Sequence, residues 1–280
     1  MSTLTWIDTN GATTVLDDTT GFRLLTGSVG LDVPPTELNT SAYLSSDGSV
    51  LVKRRRGERR VALPMYLNTG SSVSTAVGQA ATFFQGPGTL RYSGVNTREL
   101  TNVLYEAGME GDWSDAVAVN ETWRKVVVSL RVLDPWWYGA TASVQLTFAA
   151  AVGFDAAITF DNAIGFDGSD ANPVTIAGDA PASPVTTIVG PFTTLLVGVA
   201  GGQTFTLTSA LAAGSTIVVD TSTGNRGPRL NGGAIDWSLI TDASRLWELP
   251  LGSSVLNAAA TGTTGASIVE VAWRERWLTP

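Results

Sequence analysis

The sequence predicts a mainly β protein, and three observations predict it. Among its 280 residues are 36 threonines and 30 glycines, residue types that favour pleated strands and tight turns. Short Val- and Ile-rich runs recur along the chain with Gly, Pro, Asn or Asp between them, as in strands joined by turns. Charged residues make up only 15%, against roughly 25% in ordinary domains, so much of the polar surface is hydroxyl. A hydrophobic content of 44% can build real cores, and the length suggests about two domains.

In order along the chain, residues 4–16 read as a hairpin around Asn10-Gly11, a pair suited to a type I′ turn. Short β-like pieces over 21–33 stop at Pro34-Pro35, and Asp47-Gly48 turns the chain into Val50 and Val52. Val61, Leu63, Met65 and Leu67 alternate at period two, the pattern of a half-buried strand. The basic run 53–60 is thereby placed at the tip or flank of a hairpin, with Gly57-Glu58 near its turn. One helix stands out. Ser71 or Ser72 can cap it, Val73, Val77, Ala80, Ala81 and Phe84 form its apolar stripe, and Gly86-Pro87 ends it.

Strands follow at 89–92, about 98–107 and 123–132. Pro135 cannot donate to a ladder, so the run Leu133-Asp134-Pro135-Trp136-Trp137-Tyr138 closes the last of them and the first domain. A six-residue repeat comes next, Phe154-Asp155, Phe160-Asp161 and Phe166-Asp167. It lacks the alternating D-x-D-x-D-G loop that gathers oxygens around calcium, so edge strands or an ordered linker account for it better. Pro181 and Pro184 continue this connection. Further strands are expected at 192–199, 204–208, 216–220, 246–249, 255–260 and 268–273, with a turn-rich hairpin at 225–233. Turns every 8–12 residues or so suggest a sandwich or jelly roll. The division is therefore 1–139, an N-terminal β domain with one short helix; 140–190, a connecting segment; and 191–280, a C-terminal β-sandwich.

Charge is concentrated. The net charge is −8, yet segment 53–60 (KRRRGERR) holds six of the 17 basic residues and one acid. The other residues carry 11 basic and 24 acidic groups, a body that repels free nucleic acid.

Composition also removes most catalytic chemistry. The chain has no His and no Cys, which excludes imidazole bases, thiolate nucleophiles, His- or Cys-ligated zinc and disulfides. No P-loop and no G-x-G-x-x-G opening a helix supports nucleotide binding. Carboxylates remain, and Glu110, Asp112 and Asp115 lie together in a Gly/Trp loop, although a glycosidase needs its pair roughly 5–10 Å apart. A solvated acidic loop is the simpler account, so the chain is expected not to be an enzyme and to hold no cofactor or metal. The N-terminus lacks the basic and apolar regions of a signal peptide, and no run reaches the length of a membrane span.

Two groups of residues are candidate contacts. Arg54, Arg55, Arg56, Arg59 and Arg60 form either a solvated tip, a joint with an acidic neighbouring subunit, or a wall facing nucleic acid; guanidinium forks suit the joint, and the absence of interleaved aromatics disfavours the last. Trp136, Trp137 and Tyr138 either offer a platform for sugar rings or pack between domains or subunits. Trp273 shares strand parity with Val271, so packing is its default.

The ordered set of motifs resembles the distal tail proteins of siphophages. The carriers are Arg59-Arg60-Val61-Ala62-Leu63-Pro64-Met65-Tyr66-Leu67 after a hairpin, the helix over 73–84, Gly88-Thr89-Leu90-Arg91-Tyr92, Arg98-Glu99-Leu100, Asp134-Pro135-Trp136-Trp137-Tyr138, Trp247-Glu248-Leu249-Pro250-Leu251-Gly252, and Val271-Ala272-Trp273-Arg274-Glu275-Arg276-Trp277-Leu278. The resemblance implies a structural virion protein whose N-terminal domain forms a homohexameric ring around a channel, with a galectin-like β-sandwich projecting outward. It implies a place at the tip of a long non-contractile tail, after synthesis and assembly in the host cytoplasm. The implied partners are further copies of the chain, the tail tube protein, the baseplate hub, the tape-measure protein and a receptor-binding protein, with no membrane and no sequence-specific nucleic acid. A carbohydrate-binding module for host adhesion is the alternative.

Overall fold

The computed structural model describes residues 3–17, 21–42, 47–68, 73–109, 123–148 and 172–280. The chain divides into two compact units, 1–139 with 277–280 and 140–276. The Phe-Asp repeat at 154–167, the loop with Glu110, Asp112 and Asp115, and the capping serines Ser71 and Ser72 lie outside the described residues.

The first unit contains β1 (Thr3–Ile7), β2 (Thr13–Val15), β3 (Phe22–Leu24), β4 (Thr36–Ala42), β5 (Ser49–Arg56), β6 (Arg59–Leu67), helix α1 (Val73–Phe83), β7 (Gly88–Ser93), β8 (Thr97–Ala107), β9 (Arg124–Val132) and the start of β10 (Trp137–Thr147). Antiparallel pairing runs β2–β1–β7–β8–β9–β6–β3. Among the described residues β4 and β5 pair only with each other. Gly57-Glu58 is thus no hairpin turn: it is where the chain leaves that two-stranded pair for the main sheet. The β1–β2 hairpin forms, with a different turn from the type I′ expectation. The Asp8 carboxylate accepts from the amides of Asn10 and Ala12, the Gly11 amide donates to the Asp8 carbonyl, and Gly11 takes the positive φ of +82°. This is a tight turn followed by a glycine bulge.

Period-two burial in β6 explains why this strand anchors the unit. Val61, Leu63, Met65 and Leu67 are 0–1% exposed, while the residues between them point outward; each such aliphatic contributes roughly 1.5–3 kcal/mol. α1 lays Ala76, Ala80 and Phe84 into the same core, so Ala76 takes the place expected for Ala81, which is exposed. Trp6 lies beneath the helix end, its indole Nε1 donating to the Phe83 carbonyl at 3.0 Å.

The second unit pairs two sheets. One contains β16 (Gly227–Leu230), β15 (Thr216–Asp220), β12 (Val185–Val189), β18 (Ile268–Trp277) and β10; the other contains β11 (Asn172–Ile176), β17 (Gly252–Thr261), β13 (Thr194–Val199) and β14 (Thr204–Thr206). Leu195, Val197, Phe205 and Leu256 of the second sheet share one core with Ile188, Val219, Val269, Val271 and Trp273 of the first, the arrangement of a β-sandwich. Trp273 is therefore core packing. The stretch 140–190, expected to be a connection, supplies β11, β12 and most of β10 to these sheets. Residues 246–249 form no strand beyond a single bridge of Leu249 to Ala182. Pairing supplied by distant strands, rather than local pattern, decides both outcomes.

Candidate functional site

The basic run is divided between three environments. Lys53, Arg54, Arg55 and Arg56 lie at the end of β5, in an arm whose residues are exposed throughout except for half-buried Arg56. Its register pairs Thr36 with Arg56, Glu37 with Arg55, Leu38 with Arg54 and Asn39 with Lys53, and then shifts between Asn39 and Thr40. The shift leaves Val52 as the extra residue of a bulge, which bends such a strand and increases its twist. Arg55 Nε meets Glu37 Oε2 at 2.5 Å, and Arg56 Nη1 donates to Thr36 Oγ1 at 2.7 Å. At the base of the arm the Gly57 amide donates to the Pro35 carbonyl. A side chain on Gly57 would meet the Glu37 carboxylate, 2.7 Å from its Cβ. Alternation gives the arm one side with Lys53 and Arg55 and another with Arg54 and Arg56. Leu38, Val50, Leu51 and Val52 are exposed on it as well.

Arg60 is exposed on the main sheet, 3.5 Å from Glu106. Beside it, Arg131 makes a two-nitrogen contact to Glu58 Oε2 at 2.9 and 2.7 Å. That hydrogen bond, together with the charge of Glu58, holds the Arg131 guanidinium above its ordinary pKa.

Arg59 corrects the expectation that the whole run faces outward. It is 1% exposed and sits on the core-facing parity of β6, two residues before Val61. Its Nη1 donates to the carbonyls of Gly30 at 3.0 Å and Leu31 at 2.7 Å, and also to that of Asp32. Nε and Nη2 donate to the Pro135 carbonyl at 3.2 and 2.7 Å, and Nη2 to Leu278 at 3.1 Å. Burial lowers the Arg59 pKa to about 10, with nearby Asp32 acting in the opposite direction; the side chain stays charged at neutral pH. One guanidinium thus joins residues 30–32, the turn at 135 and the C-terminal segment.

The aromatic trio belongs largely to the same knot. Trp137 is fully buried, donates from Nε1 to the Leu31 carbonyl at 2.9 Å, and has the Arg59 guanidinium 5.9 Å from its ring centre. Trp137 is accordingly internal, a second correction to the candidate contacts. The Tyr138 hydroxyl donates to Asp134 Oδ2 at 2.6 Å, and Trp136 remains half-buried. Nearby, the Arg98 guanidinium lies 3.9 Å from the ring centre of Trp277 and its Nη1 donates to the Thr279 carbonyl at 2.6 Å. Of the residues singled out from sequence, Arg54, Arg55, Arg56, Arg60, Trp136 and Tyr138 are those with accessible surface.

Among the described residues no three acidic, His or Cys side chains converge as a metal site would require, and no helix is long and apolar enough to cross a membrane.

No protein-family model and no curated protein matches the chain. Solved structures do. The Dit protein of phage SPP1, described as a paradigm of the hub adsorption apparatus in phages infecting Gram-positive bacteria, matches with a TM-score of 0.67 at 15% identity, over 99% of each chain. Chains of the phage P2 baseplate in its activated conformation match over 100% of both lengths, with TM-scores of 0.58 for the calcium form and 0.55 for the strontium form, at 11% and 10% identity. The described residues have the fold of the SPP1 Dit protein and of phage P2 baseplate chains.

Proposed function

We propose that this chain is a structural, non-catalytic virion protein that forms a hexameric ring at the distal end of a long non-contractile phage tail. The ring joins the tail tube to the baseplate hub and the host-recognition apparatus, with the tape-measure protein inside and receptor-binding components attached. The observation that carries this reading is the likeness to the SPP1 Dit protein, which runs through 99% of both chains and so includes both units rather than one common β-sandwich.

The arm supports it. A two-stranded pair standing alone is marginal in water, and this one also exposes Leu38, Val50, Leu51 and Val52. Four consecutive cations beside those side chains suit a neighbouring copy whose remaining surface is acidic. Our reading is that Arg54, Arg55 and Arg56 reach across to the next subunit.

Native mass measurement and negative-stain imaging of the full chain test this. A particle six times the 29.2 kDa chain mass, with a central channel, is the expected result. The R54E/R55E/R56E variant should remain folded and lose the particle. A chain that stays monomeric at the highest attainable concentration contradicts the ring; a variant that assembles as the native chain does contradicts the role of the arm alone.

A further inference from the structure

The second unit contains a cleft that the proposed ring leaves unexplained. It measures about 450 Å³ and is lined in part by Gln203, Arg226, Trp237, Asp242, Ser244 and Arg245, a volume within the range of small-molecule sites, roughly 300–1,000 Å³. Both walls are held by hydrogen bonds. On one side the 3-10 helix Trp237–Leu239 starts at Asp236, whose Oδ1 accepts from the Ser238 amide at 3.0 Å and its hydroxyl at 2.6 Å. Those bonds keep the Asp236 carboxyl below its usual pKa, and the Asp236 amide donates to the Pro228 carbonyl at 2.9 Å. On the other side the amides of Thr241 and Arg245 donate to the carbonyls of Thr206 and Thr204, both at 2.9 Å.

Trp237 is 53% exposed in this cleft. Its position is set from behind by Gly227, where a Cβ would lie 3.4 Å from the indole and 2.5 Å from Ile235. The two arginines are held without being neutralised. Arg226 Nη2 donates to the Leu246 carbonyl at 2.8 Å, and Arg245 Nη1 donates to the carbonyls of Asp242 and Ser244 at 3.1 and 2.9 Å. Among the described residues neither meets a carboxylate at ion-pair distance. Residues 140–280 contain only five basic side chains, and two of them line this one cleft.

We propose that the cleft binds a saccharide bearing a carboxylate or a phosphate. The exposed indole offers a flat apolar face to the C–H face of a pyranose, as aromatic side chains in binding sites do. The unused guanidinium N–H groups match an acid oxygen pair, while the Gln203 amide supplies a partner for ring hydroxyls; the Ser244 hydroxyl already accepts from the Thr206 amide at 2.9 Å and shares a hydrogen bond with Thr241 Oγ1 at 3.0 Å. Asp242 at the rim would repel an acid placed there, which favours the side of Arg226 and Arg245. This site is independent of ring assembly.

Calorimetric titration of the full chain tests it with four probes: trigalacturonate, galactose 6-phosphate, neutral galactotriose and inorganic phosphate. Saturable binding is expected for at least one acidic sugar, the tighter of the two identifying the acid. Binding of galactotriose should be weaker by about tenfold or more, corresponding to about 1.4 kcal/mol, and phosphate alone should show none. Trp237→Ala and Arg245→Gln should each weaken the acidic sugar by about tenfold. Circular dichroism checks both variants, and if Trp237→Ala unfolds, the exposed Arg245→Gln decides. Absence of saturable binding by both acidic sugars overturns the proposal, as does unchanged affinity in the folded variants. Equal affinity for galactotriose overturns the role of the acid, and phosphate binding as tight as the sugar overturns the role of the saccharide.

Discussion

Arg59 shows how one side chain can close a unit. Its guanidinium satisfies carbonyls in three segments remote from one another in sequence, around residues 30, 135 and 278. A buried charge costs several kcal/mol to desolvate, offset here by its full set of carbonyl partners. Arg59→Met keeps the volume, removes the buried charge and leaves those carbonyls without donors, so it should destabilise the chain by about 1–3 kcal/mol in urea unfolding. Arg59→Lys keeps the charge but loses the planar fork, and about 2 kcal/mol is expected. A loss below about 1 kcal/mol for the Met variant would show that the tie carries no weight. Part of this was legible in the sequence: Arg59 continues the parity of Val61, Leu63, Met65 and Leu67. Its place within KRRRGERR concealed it, because five neighbouring cations argue for solvent and parity alone does not choose between a strand's first core position and its exposed flank. Trp137 was obscured in a similar way by its position in an aromatic run after proline.

At the scale of elements, α1 and its surroundings separate two kinds of glycine. Gly88 opens β7 against Trp6, and a Cβ there would lie 2.2 Å from the indole ring. Gly78 lies mid-helix, where a Cβ would meet nothing within 4 Å. Gly88→Ala should therefore cost about 1–3 kcal/mol through overpacking, whereas Gly78→Ala should gain about 1 kcal/mol from helix propensity. Thermal or urea unfolding of the two variants checks the opposite signs; equal effects would contradict the close approach at Gly88. The helix, β6 and the β1–β2 hairpin could be read from periodicity and turn residues. β4 could not: TELNTSA has no apolar alternation because neither face of the strand is buried in its own unit. The cleft was also out of reach, since its lining comes from residues 203 to 246 brought together by β14, β16 and the 3-10 turn. No local motif records such a convergence.

For the whole molecule, the distribution of charge makes a prediction that composition alone could not. Net charge says only that copies of an acidic chain repel one another. The structure sets Arg54, Arg55 and Arg56 on an exposed arm, and the same arm carries Leu38, Val50, Leu51 and Val52. Its two kinds of contact respond oppositely to salt: exposed ion pairs weaken as the screening length falls from about 30 Å at 0.01 M to about 8 Å at 0.15 M, whereas apolar burial does not. If the cations carry assembly, sedimentation should show the large particle giving way to monomer as sodium chloride rises through this range, at a fixed protein concentration. R54E/R55E/R56E should then be monomeric throughout. If the apolar side chains carry it, the native particle should persist in high salt, and Leu51→Asp with Val52→Asp should dissolve it while the native cations remain. A particle insensitive to salt and to both sets of substitutions would place the subunit contact elsewhere in the chain and remove the arm from the assembly.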